Sequence, residues 1–266
     1  MNAADRAATI VAMPPVTDIT SSAAWPSGRV LVVAATYEER ANVEQLIDGV
    51  LAAAADLQLL IVDDDSPDGT GVVALDRAAR EPRLHVLVRR GRRGLGGAIL
   101  EGFMLAARHG FEIVVNMDAD LSHAPEDIPR LLAAMHPPGG RPADVVLGSR
   151  RVPGGRVVGW PVWRHVVSRL VGWFTRWVVG VPVRDASTGF RAVRVANFTG
   201  RPHAFATGYT FLEEMLWTMH QAGGRIVEVP ITFTNRERGS SKAGLRESLT
   251  GGWALLRLAV TARLGL

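Results

Sequence analysis

Two aspartates, Asp118 and Asp120, stand one residue apart directly after the apolar run Ile113–Met117. In an extended segment residues i and i+2 point the same way, so the two carboxylates converge just past the end of a strand. Such a pair repels itself unless a cation lies between or beside it. Hard divalent ions such as Mg²⁺ take oxygen ligands and share them with substrate phosphates. A solvated acidic turn would show the same spacing. A second acidic cluster, Asp63-Asp64-Asp65, ends the run Leu57–Val62 and leads into Ser66-Pro67-Asp68-Gly69-Thr70. Ser-Pro-Asp-Gly is turn chemistry, and Ser66 or Asp68 can cap the next helix. Asp63 and Asp64 lie earlier than capping needs, where a carboxylate can accept a hydrogen bond from a base N–H. Gly94-Leu95-Gly96-Gly97-Ala98 opens a further helix. Glycines there let backbone approach a ligand, and a helix N-terminus favours anions. The spacing is not the G-x-G-x-x-G dinucleotide fingerprint, and the P-loop lysine is missing.

These residues need a frame. Short apolar runs at Arg29–Ala35, Leu57–Val62, Leu84–Val88, Glu112–Met117 and Asp144–Leu147 read as strands. Between them, Arg40–Ala54, Asp68–Arg80, Gly96–His109 and Pro125–Met135 carry helical spacing. Strands alternating with helices predict βαβ units and a largely parallel α/β sheet with both faces covered. Ligands of such sheets bind at the carboxyl ends of the strands. The polar clusters Thr36–Glu39, Asp63–Ser66, Asp118–Asp120 and Gly148–Arg151 all fall there. Their coincidence predicts one nucleotide-type site.

Composition narrows the class. A chain of 266 residues with 47% hydrophobic and 21% charged residues is long enough for a sizeable core. It has no cysteine, which excludes disulfide frameworks, thiolate metal sites and cysteine nucleophiles. A net charge of +4 with no aromatic-interleaved basic motif gives no case for nucleic acid. Lys242 is the only lysine among the 30 basic residues, a hint that its position needs an ammonium. No stretch supplies the roughly 20 apolar residues of a membrane span. Residues 1–28 are small, polar and proline-bearing and are expected to form a flexible tail. Residues 29–266 are expected to form a single domain.

The segment Trp160–Val179 is amphipathic on helical projection. Arg164, His165, Ser168, Arg169, Thr175 and Arg176 share one arc. Val166, Leu170, Trp173, Phe174, Trp177 and Val178 fill the other. The apolar arc can lie in a membrane interface or pack on the core. Arg164 and Ser168, four residues apart, share a face. Leu245, Leu249, Trp253, Leu256 and Val260 suggest a second, C-terminal amphipathic helix with the same two options.

Ala35-Thr36-Tyr37-Glu38-Glu39, Val62–Thr70, Gly94–Ala98, Met117–His123, Gly148-Ser149-Arg150, Asp185–Arg191 and Val229–Lys242 occur in one order. Together they resemble the polyprenol-phosphate (dolichol-phosphate) mannose synthases, inverting family 2 glycosyltransferases with a Rossmann-like GT-A fold. The similarity runs from about Arg29 to about Leu255. It implies transfer of mannose from GDP-mannose to a polyprenyl phosphate lipid, with Mg²⁺ or Mn²⁺. Ala35, Tyr37, Glu39, Asp63 and Asp64 would hold the nucleoside. Asp118 and Asp120 would hold the metal and donor diphosphate, with Ser122 as third metal position where some relatives carry glutamine. Ala35 and Glu38 depart from the more usual P-T-Y-N-E. Arg150, Arg164 and Ser168 would seat the acceptor phosphate. Arg236 and Lys242 would lie on a loop near both phosphates, and Asp120, Arg150, Arg164 and Lys242 form the catalytic set.

The resemblance also implies a peripheral enzyme on the cytoplasmic membrane face, with a separate membrane-anchoring protein in some relatives. The same fold using another nucleotide sugar such as UDP-glucose, or serving a specialised-metabolite pathway, is the nearer alternative. A non-catalytic nucleotide-sugar-binding module is the distant one.

Overall fold

The computed structural model describes residues 29–91, 94–199 and 211–235. The expected tail, the loop bearing Arg236 and Lys242, and the C-terminal helical pattern lie outside the described residues. Nine strands and seven α-helices are described: β1 (Val30–Thr36), α1 (Val43–Ala53), β2 (Gln58–Asp63), α2 (Thr70–Ala78), β3 (Leu84–Val88), α3 (Leu95–Arg108), β4 (Ile113–Asn116), α4 (Ile128–Met135), β5 (Val145–Ser149), β6 (Arg156–Val158), α5 (Val162–Phe174), β7 (Arg191–Arg194), α6 (Val195–Thr199), α7 (Phe211–Gln221), β8 (Ile226–Pro230) and β9 (Thr232–Thr234). A 3₁₀ turn, Pro125–Asp127, leads into α4, and a π-helical turn, Thr175–Val179, closes α5.

The main sheet has seven strands in the order β3-β2-β1-β4-β7-β5-β8, and β6 pairs with β9 in a small second sheet. β3, β2, β1 and β4 are parallel. β7 enters antiparallel to both β4 and β5, and β8 is parallel to β5. The five expected strands are all present, with ends displaced by a residue or two. The α/β expectation holds, with one reversed strand inside the sheet.

The strands are apolar on both faces because helices cover both. Leu31, Val33, Leu60, Val62 and Val114 pack with Ile99, Phe103 and Met215 of α3 and α7. Val30, Val32, Ala34, Leu59, Ile61 and Val115 face Leu46, Ile47 and Leu131 of α1 and α4. Each large side chain so buried contributes roughly 1.5–3 kcal/mol. Gly102 lets α3 lie close on β1, since a Cβ there would sit 2.5 Å from Val33 Cγ1.

Candidate active site

Three parallel strands deliver their carboxyl ends to one place, and their loops are cross-braced. Thr36 Oγ1 donates to Asp63 Oδ2 at 2.8 Å, and Asp64 N–H to the Thr36 carbonyl at 3.0 Å. Three consecutive backbone N–H groups of the first loop, from Glu38 to Arg40, donate to side chains of the second. Glu38 N–H reaches Ser66 Oγ at 3.0 Å, Glu39 N–H reaches Thr70 Oγ1 at 2.9 Å, and Arg40 N–H reaches Asp68 Oδ2 at 3.1 Å. The Ser-Pro-Asp-Gly-Thr segment is therefore a rack of acceptors for the neighbouring loop. Asp68 Oδ1 also accepts Thr70 N–H at 3.0 Å, a local turn bond two residues on, whereas the N-cap position of α2 is Gly69 and has no side-chain capping bond. Asp63, 1% exposed, is braced further by the N–H and hydroxyl of Ser66 at 2.9 and 2.6 Å. Tyr37 and Glu39 are half-buried beside this frame, and Ala35 packs on the core beneath it. Glu38 and Asp65 hold positive φ of 56° and 57°, and Leu121 of 61°. Left-handed backbone is uncommon outside glycine, and all three positions lie in loops at this edge.

Asp64 is built into a buried charge group. Its Oδ1 accepts from Arg89 Nη1 at 2.6 Å and its Oδ2 from Gly94 N–H at 2.7 Å. Arg89 Nε also lies 3.2 Å from Glu101 Oε2. Burial pushes the Asp64 carboxyl up, against the pull of the Gly94 N–H and the Arg89 guanidinium. The glycine-rich segment has a different role from the expected anion cradle. Gly94 N–H is spent on Asp64, and Gly97 makes room for Arg89, whose Nη2 would lie 2.7 Å from an added Cβ. Nothing in the spacing revealed Arg89 or Glu101 as partners.

Asp118 and Asp120 follow β4 at the same edge. The Asp118 side chain is 38% exposed, and its oxygens lie against Gly189, where an added Cβ would collide with them. Asp120 Oδ1 accepts Ser122 N–H at 3.1 Å. Ser122 is buried, and its carbonyl accepts from Thr234 N–H at 3.1 Å, tying this loop to β9. His123 is 1% exposed, stacked on Phe190 with ring centroids 5.1 Å apart. Its Nδ1 accepts Asp118 N–H at 3.4 Å, and burial holds its pKa down at about 4, so the ring is neutral. It shapes the aspartate loop from behind. No cluster of three or more His, Cys, Asp or Glu side chains among the described residues is placed to hold an ion. Two carboxylates suit an ion that takes its other ligands from diphosphate and water, as Mg²⁺ commonly does.

The opposite wall comes from β5 and the loop before β7. Arg150 donates from Nε and Nη2 to Asp185 at 2.8 and 2.6 Å, and from Nη2 to Ser187 Oγ at 3.0 Å. Arg150 N–H also reaches Asp185 Oδ2 at 2.8 Å. The Arg150 guanidinium lies 5.1 Å from the Trp160 ring and 5.3 Å from that of Phe233. Arg191, 0% exposed, donates to the carbonyls of Ala186, Thr188 and Leu212 and so pins the loop that leans on Asp118. The motif Asp185–Arg191 was legible in the sequence, but not this division of labour.

Glu213, beneath Arg191, is buried, and burial pushes its carboxyl up to about 7 despite the Arg191 charge. A group whose pKa rises on folding stabilises fully below its unfolded value of 4.5, and that contribution is lost as pH climbs through about 7. Thermal midpoints of the wild type should therefore fall relative to Glu213→Gln between pH 5 and pH 8, by an equivalent of about 1–3 kcal/mol. Parallel curves for the two proteins would exclude that role.

α5 carries the expected two arcs in part, with a mainly apolar side turned outward. Arg169 and Arg176, expected on the polar arc with Arg164 and Ser168, are exposed instead. Trp163, Val166, Leu170, Trp173 and Trp177 are each at least 51% exposed. Gly172, Thr175 and Val179 are buried, and Arg164, His165 and Ser168 are half-buried on the inward side. Gly172 is where the helix meets the domain, since a Cβ there would sit 2.5 Å from the Arg184 carbonyl. Phe174 and Val178 pack partly on the core, so the core-packing option applies to that margin alone. No helix among the described residues is long and apolar enough to cross a membrane.

A 3-2-1-4 run of parallel strands, an acidic pair after the fourth and braced acidic loops after the first two define a nucleotide-sugar glycosyltransferase of the GT-A type. The profile described as "Glycosyl transferase family 2" matches residues 31–198. The polyprenol monophosphomannose synthase of Mycolicibacterium smegmatis is 41% identical over 230 residues, covering 84% of this chain and 85% of that protein. The undecaprenyl-phosphate mannosyltransferase of Micrococcus luteus is 40% identical over 251 residues, covering 90% and 100%. The chain belongs to glycosyltransferase family 2. Its fold is shared with glucosyl-3-phosphoglycerate synthase of Mycobacterium tuberculosis, solved with Mn²⁺, UDP and glucosyl-3-phosphoglycerate. That structure has a TM-score of 0.61 at 21% identity and covers 90% of this chain and 79% of the other.

Proposed function

We propose that the enzyme transfers mannose from GDP-mannose to a polyprenyl phosphate at the cytoplasmic face of a membrane, releasing GDP. The observation that carries this reading is α5, beside the acidic site, with hydrogen-bonding side chains inward and tryptophans outward. An acceptor with a phosphate head and a prenyl tail has that same division. The likeness to polyprenol-phosphate mannosyltransferases supports the same acceptor class.

The braced loops around Tyr37, Glu39, Asp63 and Asp64 hold the nucleoside. Asp118 and Asp120 would hold Mg²⁺ or Mn²⁺, with Ser122 bracing Asp120 through its N–H. When bound, the ion neutralises the departing diphosphate. The acceptor phosphate is already ionised near neutral pH, so no strong base is required. Its oxygen bonds to the anomeric carbon as the bond to the GDP oxygen breaks, giving inversion and a β-linked product. The protein's part is alignment and charge compensation. Arg164 and Ser168 approach the acceptor phosphate from α5, and Arg236 and Lys242, outside the described residues, are assigned to the same two anions. The apolar arc of α5 rests in the interface, where a membrane-anchoring protein would also meet the chain.

The test is transfer of labelled mannose from GDP-mannose into an organic-extractable, mild-acid-labile lipid, with a short polyprenyl phosphate and Mg²⁺ or Mn²⁺. EDTA should abolish it. Label entering only from UDP-glucose or another donor would overturn the donor assignment. GDP binding without turnover from any donor would indicate a binding module.

A further inference from the structure

Five rings lie in an unbroken run between the aspartate loop and α5. Phe190 stacks on His123 with centroids 5.1 Å apart. His123 meets Phe233 edge-on at 5.2 Å, Phe233 meets Trp160 at 5.3 Å, and Trp160 meets His165 at 5.8 Å. One end holds the acidic pair, because His123 Nδ1 accepts Asp118 N–H and lies 3.6 Å from Asp118 Oδ2. The other end is α5, where Trp160 stands just before the helix and His165 lies in its first turn.

Phe233 is the centre of the run. It is buried, and the Arg150 guanidinium lies 5.3 Å from its ring and 5.1 Å from that of Trp160. Phe233 and Trp160 belong to neither of the two apolar clusters that cover the sheet. They bridge the walls of the site instead. The backbone repeats the connection. Phe233 pairs in register with Val157 of β6. Thr234 N–H donates to the Ser122 carbonyl at 3.1 Å, and Asn235 N–H to the Val158 carbonyl at 2.8 Å. β9 is thus strapped to the aspartate loop by one residue and to the strand leading into α5 by the next. Gly159 turns that strand toward Trp160 at a φ of 80°, and an added Cβ there would sit 3.1 Å from Asn235 Cβ. Trp160 Nε1 is buried and makes no hydrogen bond among the described residues, so ring contacts set the indole. In a close-packed run of this kind no ring shifts without moving its neighbours.

We propose that Phe233 is a positioning residue that couples the two halves of the site. It fixes the aspartate pair through His123 and the start of α5 through Trp160. Seating of the acceptor at α5 and binding of a metal–diphosphate at Asp118 and Asp120 then favour one another. This rests on the metal and acceptor reading proposed above.

The experiment uses the full chain and the variants Phe233→Leu, Trp160→Leu and Trp160→Phe. Mn²⁺ binding in the presence of GDP is followed by electron paramagnetic resonance, with and without farnesyl phosphate. Thermal midpoints are taken on the same samples. In the wild type farnesyl phosphate should tighten Mn²⁺ by about 5-fold or more, and Mn²⁺ should tighten farnesyl phosphate by the same factor. Phe233→Leu should weaken Mn²⁺ by roughly 10-fold even without farnesyl phosphate, the lower end of what a group behind a metal ligand contributes. Trp160→Leu should leave Mn²⁺ binding within about twofold, since it touches neither aspartate, and should abolish the tightening. Trp160→Phe keeps a ring on Phe233 and should retain it. Tightening that persists in both leucine variants would show that the ion and the phosphate sense each other's charge directly, and overturns the coupling. A lowered midpoint with Mn²⁺ affinity and tightening intact assigns Phe233 to stability alone and overturns it as well. Farnesyl phosphate that binds the wild type without changing Mn²⁺ affinity overturns the coupling and leaves the acceptor reading standing. Failure of the wild type to bind either probe overturns the reading of that probe and the coupling together. If Phe233→Leu does not fold, Trp160→Leu decides alone.

Discussion

Replacing Asp120 by alanine should lower turnover by about 10²-fold or more at saturating donor, with little change in thermal midpoint. The size follows from what an aimed electrostatic stabiliser is worth when charge develops on a leaving group. Stability should hold better than at a buried position because Asp120 is half-exposed, although its carboxylate accepts the part-buried Ser122 N–H. Asp118→Ala should follow it in turnover. Rates against Mg²⁺ and Mn²⁺ concentration, with circular dichroism melts on the same samples, check this. Near-normal turnover in Asp120→Ala would remove the acidic pair from the mechanism.

Asp185→Ala should give the largest loss of stability. It leaves the Arg150 guanidinium buried and unmatched, and breaking a buried pair from one side costs about 3–5 kcal/mol. For a chain of this size that is a drop of roughly 10 °C in thermal midpoint. Activity should fall as well, because the same loop carries Gly189 against Asp118. Burial alone would raise the Asp185 carboxyl, but the Arg150 hydrogen bonds and charge outweigh it and hold the pKa below the usual range. A lowered pKa stabilises the fold above the unfolded value of about 4, and this is lost as pH falls below it. The wild type should therefore lose stability in acid faster than Asp185→Ala. Replacing both partners with Asp185→Leu and Arg150→Met should recover much of the loss, because no charge is left unpaired. A midpoint for Asp185→Ala within 2 °C of wild type would show that the pair carries little.

The strands of the first half were legible because each is a short apolar run buried on both faces. The site edge was legible because polar clusters follow those runs. β7 was not. Arg191 and Arg194 flank its short apolar pair, and each donates to a carbonyl far along the chain, Leu212 and Ala143, that a local reading does not show. Ser66, Asp68 and Thr70 read as turn and cap residues, and periodicity cannot reveal acceptors for another loop. Arg150 was readable as a charged residue of the site because residue type is visible in sequence, but its partner Asp185, 35 residues away, was not. Helical projection of α5 kept Arg164, His165 and Ser168 together and Leu170, Trp173 and Trp177 together. Arg169 and Arg176, however, lie exposed on the tryptophan side, and Phe174 and Val178 turn to the core. A period cannot say which side faces inward. That orientation came from Gly172, whose missing side chain lets the polar arc close on Arg184.

The reversed strand has a consequence for how the chain folds. β4 ends at Asn116 and β5 at Ser149, but the strand that joins them, β7, spans Arg191–Arg194. During synthesis the β3-β2-β1-β4 unit can assemble early, while the outer edge of β4 waits for β7. Until then that edge offers unpaired backbone to any neighbouring chain. Loop closure over this separation makes docking of β7 a slow step. Fragments ending between β5 and β7 should aggregate rather than fold, and refolding yield should depend steeply on protein concentration.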